Sequence, residues 1–175
     1  MSVREPTRVV VTDANVLINL IHVDRLALLG APVGFDFVVP PEVVAEVSIA
    51  EHAAALATAL EAGHLRPLAF EGTAELEFYA QHVQVLGKGE SACLAMAEVR
   101  GWYVASDERG RFLRLATERL GVDFILNTAG IFVLAIRASL LTVDEADEHK
   151  RVLEEHRFKM RFSSFRDVLG METEE

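Results

Sequence analysis

The sequence predicts an α/β fold: a three-layer α/β/α arrangement around a central, mainly parallel sheet. Three observations carry this. Short apolar runs alternate with helical stretches along the 175 residues, the pattern of helices returning the chain between parallel strands. The runs at 8–12 and 102–106 are apolar on successive positions, as strands covered on both faces must be. Finally, Asp13 and Asp107 directly follow those two runs, at the carboxyl end of a strand, where open α/β sheets build their sites.

Taken in order, residues 8–12 read as the first strand and 14–21 as a short helix. A second strand at 35–39 stops at Pro40-Pro41. Pro is favoured at the first helical position, so Pro41 opens a helix through Ser48. Residues 51–62 form a helix ended by Gly63, a C-terminal cap. A short strand is expected at 65–69. Helix 73–85 places Leu76, Tyr79, Ala80 and Val83 on one stripe. Gly87-Lys88-Gly89 breaks the chain ahead of a helix at 90–100. Strand 102–106, helix 109–120 ended by Gly121, strand 122–126 and helix 128–138 follow. Helices at 144–156 and 162–169 close the chain. The domain spans 1–170, and 171–175 reads as a loose acidic tail.

This length suits one domain with a substantial core. No apolar run reaches the roughly 18–20 residues of a membrane span. The start of the chain lacks a signal-peptide pattern, since Glu5 and Pro6 stand where an apolar stretch should begin. One Cys excludes an intrachain disulfide. These features favour the cytoplasm. The net charge is −10, and because residues 149–175 carry six Lys/Arg and six Asp/Glu, all of it falls in 1–148. An acidic body opposes passive binding to nucleic acid. It does not exclude an enzyme whose acidic site is filled by cations.

Four acids stand at comparable junctions: Asp13, Glu46, Glu90 and Asp107. Each has a structural alternative. Asp13 and Asp107 can be helix N-caps, Glu46 can face solvent with Glu42, and Glu90 can complement a helix dipole. If they converge, they form a hard-oxygen site for a divalent cation. The glycines at 87 and 89 let the backbone approach something closely. They do not make a phosphate-binding P-loop, because His82 and Gly89 replace the required Gly and Ser/Thr. The six His residues show no zinc spacing, and Cys93 reads as core.

Four stretches in order then carry a resemblance: Val9-Val10-Val11-Thr12-Asp13-Ala14-Asn15, Pro40-Pro41-Glu42-Val43-Val44-Ala45-Glu46, Gly87-Lys88-Gly89-Glu90-Ser91-Ala92 and Val104-Ala105-Ser106-Asp107-Glu108-Arg109. Together with residues 120–131 and the chain through Leu169, they resemble a PIN domain, similar to the prokaryotic single-domain branch. The resemblance implies a parallel sheet flanked by helices and an acidic pocket binding Mg²⁺ or Mn²⁺ for phosphodiester hydrolysis, usually of RNA. It makes Asp13, Glu46, Glu90 and Asp107 both the metal ligands and the catalytic set, with Asn15 and Thr128 in supporting positions. Asn15 either bonds back to the loop and fixes Asp13 or is a turn residue. Two departures are Asn127, where Gly is common, and Ser106 in place of Thr.

Such chemistry needs an activated water and stabilised phosphoryl charge, which divalent ions supply and oxygen ligands hold. Two carboxylates ~4 Å apart at an effective dielectric of ~20 repel by about 4 kcal/mol before relaxation, so the metal-free site is expected to destabilise the fold. Candidate phosphate contacts are Lys88, Arg109, Arg111 and Arg114, against the alternative of a solvated helix face. Lys150, Arg151, Arg157, Lys159, Arg161 and Arg166 are interrupted by Glu154 and Glu155 and read as solvated surface.

The leading function is a metal-dependent ribonuclease, with the toxin of a toxin–antitoxin pair as the role the resemblance permits. Its partners are RNA, an antitoxin protein and a second copy of the chain; no membrane is implied. A catalytically weak PIN-like interaction module is the alternative. A haloacid-dehalogenase-type phosphatase ranks low, because it wants Asp where Asn15 stands.

Overall fold

A computed structural model describes residues 7–31 and 34–171. Five parallel strands make one sheet: β1 (Arg8–Thr12), β2 (Phe35–Val39), β3 (Arg66–Pro67), β4 (Tyr103–Ala105) and β5 (Ile125–Leu126), in the order β3-β2-β1-β4-β5. The central β1 pairs with β2 through Val10 and Phe37 and with β4 through Val11 and Val104. Val10, Val11 and Thr12 are fully buried, which is why this strand reads as apolar on both faces. The chain winds outward from β1 to β3 and then returns to β4 on the other side. The strand order therefore reverses beside β1, and a crevice opens at the carboxyl ends of β1 and β4.

The helices are α1 (Ala14–His22), α2 (Pro41–Glu46), α3 (Ala50–Glu61), α4 (Thr73–His82), α5 (Lys88–Arg100), α6 (Gly110–Leu120), α7 (Thr128–Arg137), α8 (Val143–Glu155) and α9 (Phe165–Met171). Helix α5 lies on β1 and packs against α2, α4 and α6, while α1 packs against α3, α7 and α8. The sheet between these groups makes the three-layer α/β/α fold. The middle of α5 is buried all round, with Ala92 to Ala97 each at 0% exposure, as a helical stretch enclosed by sheet and helices requires. Cys93 sits within it, in the core as expected.

Several expected boundaries move. Helix α2 ends at Glu46 rather than Ser48. Strand β3 shrinks to two residues at the sheet edge, where Pro67 lacks a ladder donor. Residues Val122–Phe124 form a 3-10 turn rather than strand, because Gly121 at φ 94° redirects the chain and leaves Val122 66% exposed. Helix α5 opens at Lys88, two residues early, and α9 opens at Phe165 rather than 162. A 3-10 helix at Leu26–Gly30 was not expected.

The stripe expected on α4 is also corrected. Leu76 faces solvent, and the buried positions are Glu75 and His82. Glu75 is held by Arg100, which also lies over the Trp102 ring, and His82 meets Glu98 at 3.0 Å. Polar contacts to Glu98 and Arg100 of α5 take up the buried positions of this helix. Helix α9 takes in Met171; the rest of the expected tail, 172–175, and the opening residues 1–6 lie outside the described residues.

Candidate active site

Asp13 is both a cap and a pocket residue. Its Oδ1 accepts the Ala14 amide at 2.8 Å, so it does N-cap α1, and its Oδ2 accepts Ser106 Oγ at 3.1 Å. The Asp13 amide continues the sheet by donating to the Ala105 carbonyl at 2.9 Å. The residue is 3% exposed. Burial pushes its carboxyl up to about 7 against those two hydrogen bonds, and the Glu46 and Glu90 carboxylates add to the rise.

Glu46 comes from the end of α2, and Oε1 accepts the Gly89 amide at 2.8 Å. A Cβ at position 89 would fall 2.5–2.8 Å from the Glu46 carboxylate. Glycine at 89 thus lets the first turn of α5 close on this acid. Glu90 reaches back to the Gly87 amide at 3.1 Å, the acidic half of a capping box. Burial raises the Glu90 carboxyl, opposed by the Gly87 hydrogen bond and reinforced by Glu108 and Glu46.

Asp107 stands slightly apart. It does not cap α6. Oδ1 accepts the Thr128 amide at 2.9 Å, and Oδ2 accepts Thr128 Oγ1 at 2.5 Å and Asn19 Nδ2 at 2.9 Å. These contacts tie the end of β4 to the start of α7 and to α1. Burial raises its carboxyl, opposed by the Thr128 and Asn19 hydrogen bonds. Asn15 does not fix Asp13. Its Oδ1 accepts the Asp107 amide at 3.1 Å and its Nδ2 donates to Glu108 Oε1 at 3.0 Å, so it orients the β4–α6 loop.

The acids therefore gather with one substitution in the expected set. A cavity of about 390 Å³ is lined by Asp13, Asn15, Glu46, Glu90 and Glu108, with Gly87 and Ile18. Asp107 lines the neighbouring groove instead. Glu108 is the pocket acid that sequence reasoning did not single out. Its signal in the sequence is the acidic doublet Asp107-Glu108 after a buried strand.

The candidate phosphate contacts disperse. Lys88 opens α5 on the exposed surface, Arg111 donates to the Val85 carbonyl at 3.0 Å, and Arg114 is exposed on the outer face of α6. Arg109 alone of the four lines the groove beside the pocket.

The donor set suits a hard divalent ion. Among the described residues no Lys or Arg lines the acidic pocket, so its carboxylates have no internal counter-charge. Among the described residues no three His, Cys, Asp or Glu are gathered closely enough to form a finished metal cage. Mg²⁺ does not demand one, since it keeps several waters and is held through one or two carboxylates.

Sheet and pocket together define a doubly wound α/β/α protein with an acidic site at the carboxyl edge of its sheet. A family model described as a PIN domain matches residues 9–169, and the chain belongs to the PIN domain family. This is a nuclease-type fold: PIN domains are generally hydrolases that act on nucleic acid and generally use divalent metals. No curated protein and no solved structure matches the chain significantly. Among the described residues, no helix is long and apolar enough to cross a membrane.

Proposed function

We propose that the protein is a Mg²⁺- or Mn²⁺-dependent endoribonuclease. The observation that carries this is the pocket in which buried Asp13 shares space with Glu46, Glu90 and Glu108 and, among the described residues, with no Lys or Arg side chain. Asp13, Glu46 and Glu90 would hold the ion, and the Asp107-Glu108 pair completes the set. Glu108 faces the pocket directly. Asp107, with both oxygens already hydrogen-bonded, sets the loop and offers only its remaining lone pairs.

When bound, a divalent ion lowers the pKa of water and neutralises developing phosphoryl charge. In the net reaction, water oxygen bonds to phosphorus, one P–O ester bond breaks, and the leaving oxygen takes a proton. The chain's own part is to fix the acids. Ser106 and Ala14 aim Asp13, Gly89 seats Glu46, and Asn15 and Thr128 hold the loop that carries Asp107 and Glu108.

The decisive assay incubates structured and unstructured RNA with Mg²⁺, Mn²⁺ or chelator, beside Asp13→Asn and Asp107→Asn. Metal-dependent cleavage lost in Asp13→Asn supports the reading; cleavage that survives both substitutions overturns it. We further propose a cytoplasmic toxin of a toxin–antitoxin pair, a role supported by the resemblance to single-domain prokaryotic PIN nucleases. Growth arrest on expression, relieved by a small neighbouring gene product, is the expected result. Arrest without such relief points to a housekeeping nuclease.

A further inference from the structure

The acidic pocket cannot by itself hold a polyanion, so the substrate strand needs a second surface. Beside the pocket, and sharing Glu108 with it, lies a larger groove of about 500 Å³. One wall is the β4–α6 loop with Arg109, and the other is the segment 158–162 between α8 and α9.

This segment has no regular secondary structure but is fastened at both ends. The Phe158 amide donates to the Leu153 carbonyl at 2.9 Å. Beyond it, Ser164 Oγ and the Phe165 amide both donate to Asp147, at 2.6 and 2.8 Å. Between these anchors the side chains alternate. Phe158, Met160 and Phe162 are half-buried against the core, whereas Lys159 and Arg161 are exposed. The segment therefore offers an apolar floor, Phe158, Met160 and Phe162, and a rim of two cations, Lys159 and Arg161.

The cations of the neighbouring helix are differently engaged. Lys150 pairs with Glu154, and Arg151 with Glu148 and Glu155. Arg109 and Arg161 have no hydrogen-bond or ion-pair partner among the described residues. The groove gathers three cations, Arg109, Lys159 and Arg161, beside two acids, Asp107 and Glu108, so cations outnumber acids there in a chain whose net charge is −10, a local excess that attracts phosphate. Cations beside aromatic faces are what binding of an unpaired strand uses: charge follows the backbone and rings stack on bases. A duplex hides its base faces and cannot use such a floor.

We propose that this groove seats a single-stranded RNA segment. Its phosphates lie on Lys159, Arg161 and Arg109, its bases rest on Phe158 and Phe162, and its scissile linkage enters the acidic pocket past Glu108. The assignment of direction rests on the ribonuclease reading; the binding surface does not.

The test therefore measures binding without catalysis. A fluorescent single-stranded oligouridine, a blunt RNA duplex and a single-stranded DNA are titrated by anisotropy in chelator, at several salt concentrations. The single-stranded RNA is expected to bind more tightly than the duplex. Lys159→Ala/Arg161→Ala should weaken its binding about tenfold and flatten the slope of log affinity against log salt by about 1.4. Arg109→Ala, on the opposite wall, should weaken it independently, and Arg151→Ala on α8 should not. An unchanged melting temperature certifies each variant. Wild-type affinity and salt slope in both groove variants overturn the proposal even if the protein cleaves RNA, as does preference for the duplex. Preference for DNA overturns the RNA assignment. Weakened binding by a protein that never cleaves would sustain the groove and sink the ribonuclease reading alone.

Discussion

The Gly89 amide donates to Oε1 of Glu46 at 2.8 Å, and no side chain larger than hydrogen fits between them, because a Cβ at 89 would lie 2.5 Å from Oε2. The first turn of α5 is thus a mould for an acid from another helix. Gly87 is different: a Cβ there meets Glu90 at an ordinary 3.7 Å, at φ −65°. Gly89→Ala is expected to displace Glu46 and lower Mn²⁺ affinity about 10–100-fold, the usual cost of disturbing a ligand's support. Gly87→Ala should leave affinity near wild type. Calorimetric titration with Mn²⁺ separates the two, and equal affinities would refute the mould.

Metal should stabilise the fold. At about 100 times its dissociation constant, Mn²⁺ adds about 2.7 kcal/mol, which for a chain of this size raises the melting temperature by about 5–10 °C. Chelator should reverse the rise. Asp13→Asn keeps a capping side chain but removes the buried charge. The metal-free variant should melt higher than wild type at pH 8 and respond little to Mn²⁺.

The pH dependence follows from Asp13, whose carboxyl is pushed up from 3.8 to about 7. Between these values the folded state holds a proton that the unfolded state has released, so metal-free stability falls as pH rises through this window. Metal must displace the same proton. Mn²⁺ affinity should therefore climb about tenfold per pH unit below that pKa and level off above it. A flat profile from pH 5 to 8 would show that Asp13 is not a ligand.

Asp107 and Glu108 are expected to fail differently. Asp107→Ala removes the acceptor of three hydrogen bonds that join β4, α1 and α7, and should destabilise by about 2–4 kcal/mol. Glu108→Gln should change stability by less than about 0.5 kcal/mol yet weaken Mn²⁺ binding. Urea denaturation alongside metal titration reads both. The reverse pattern would return the ligand role to Asp107.

Three histidines from the ends of α1 and α8 and from α3 meet away from the site. His22 stacks on His156 at 3.7 Å and meets the His52 ring edge at 5.2 Å, with its Nδ1 buried and unpartnered. Burial, then His156 and His52, lower its pKa from 6.5. The contribution of neutral His22 is complete above pH 6.5 and is lost as pH falls below it, opposite in sign to Asp13. In an Asp13→Asn background, melting temperature should drop between pH 7 and 5.5, and His22→Phe should reduce that drop.

Much of the fold was legible because its cause is local. β1 is apolar on both faces because it lies mid-sheet, and Gly101 and Gly121 end helices where positive φ is required. Asp13 showed itself by its place after a buried strand. The edge strands were overestimated because their pairing is set by neighbours, not by their own composition. Helix α4 was misread because Glu75 and His82 are buried through partners about sixteen to twenty-five residues away.

The sequence by itself determined the α/β class, the central strand, the core helix α5 and the acids at strand ends. Periodicity and residue type report burial along one element, and these features need no more. Only the tertiary structure decided which acids share a pocket: Glu108 entered, Asp107 turned to Thr128, and Asn15 was assigned to the loop rather than to Asp13. It also took Lys159 and Arg161 out of an apparently neutral charged stretch and set them on a groove next to that pocket. Convergence depends on where side chains from distant segments point, and one residue's step along a loop reverses that direction while leaving the sequence pattern unchanged.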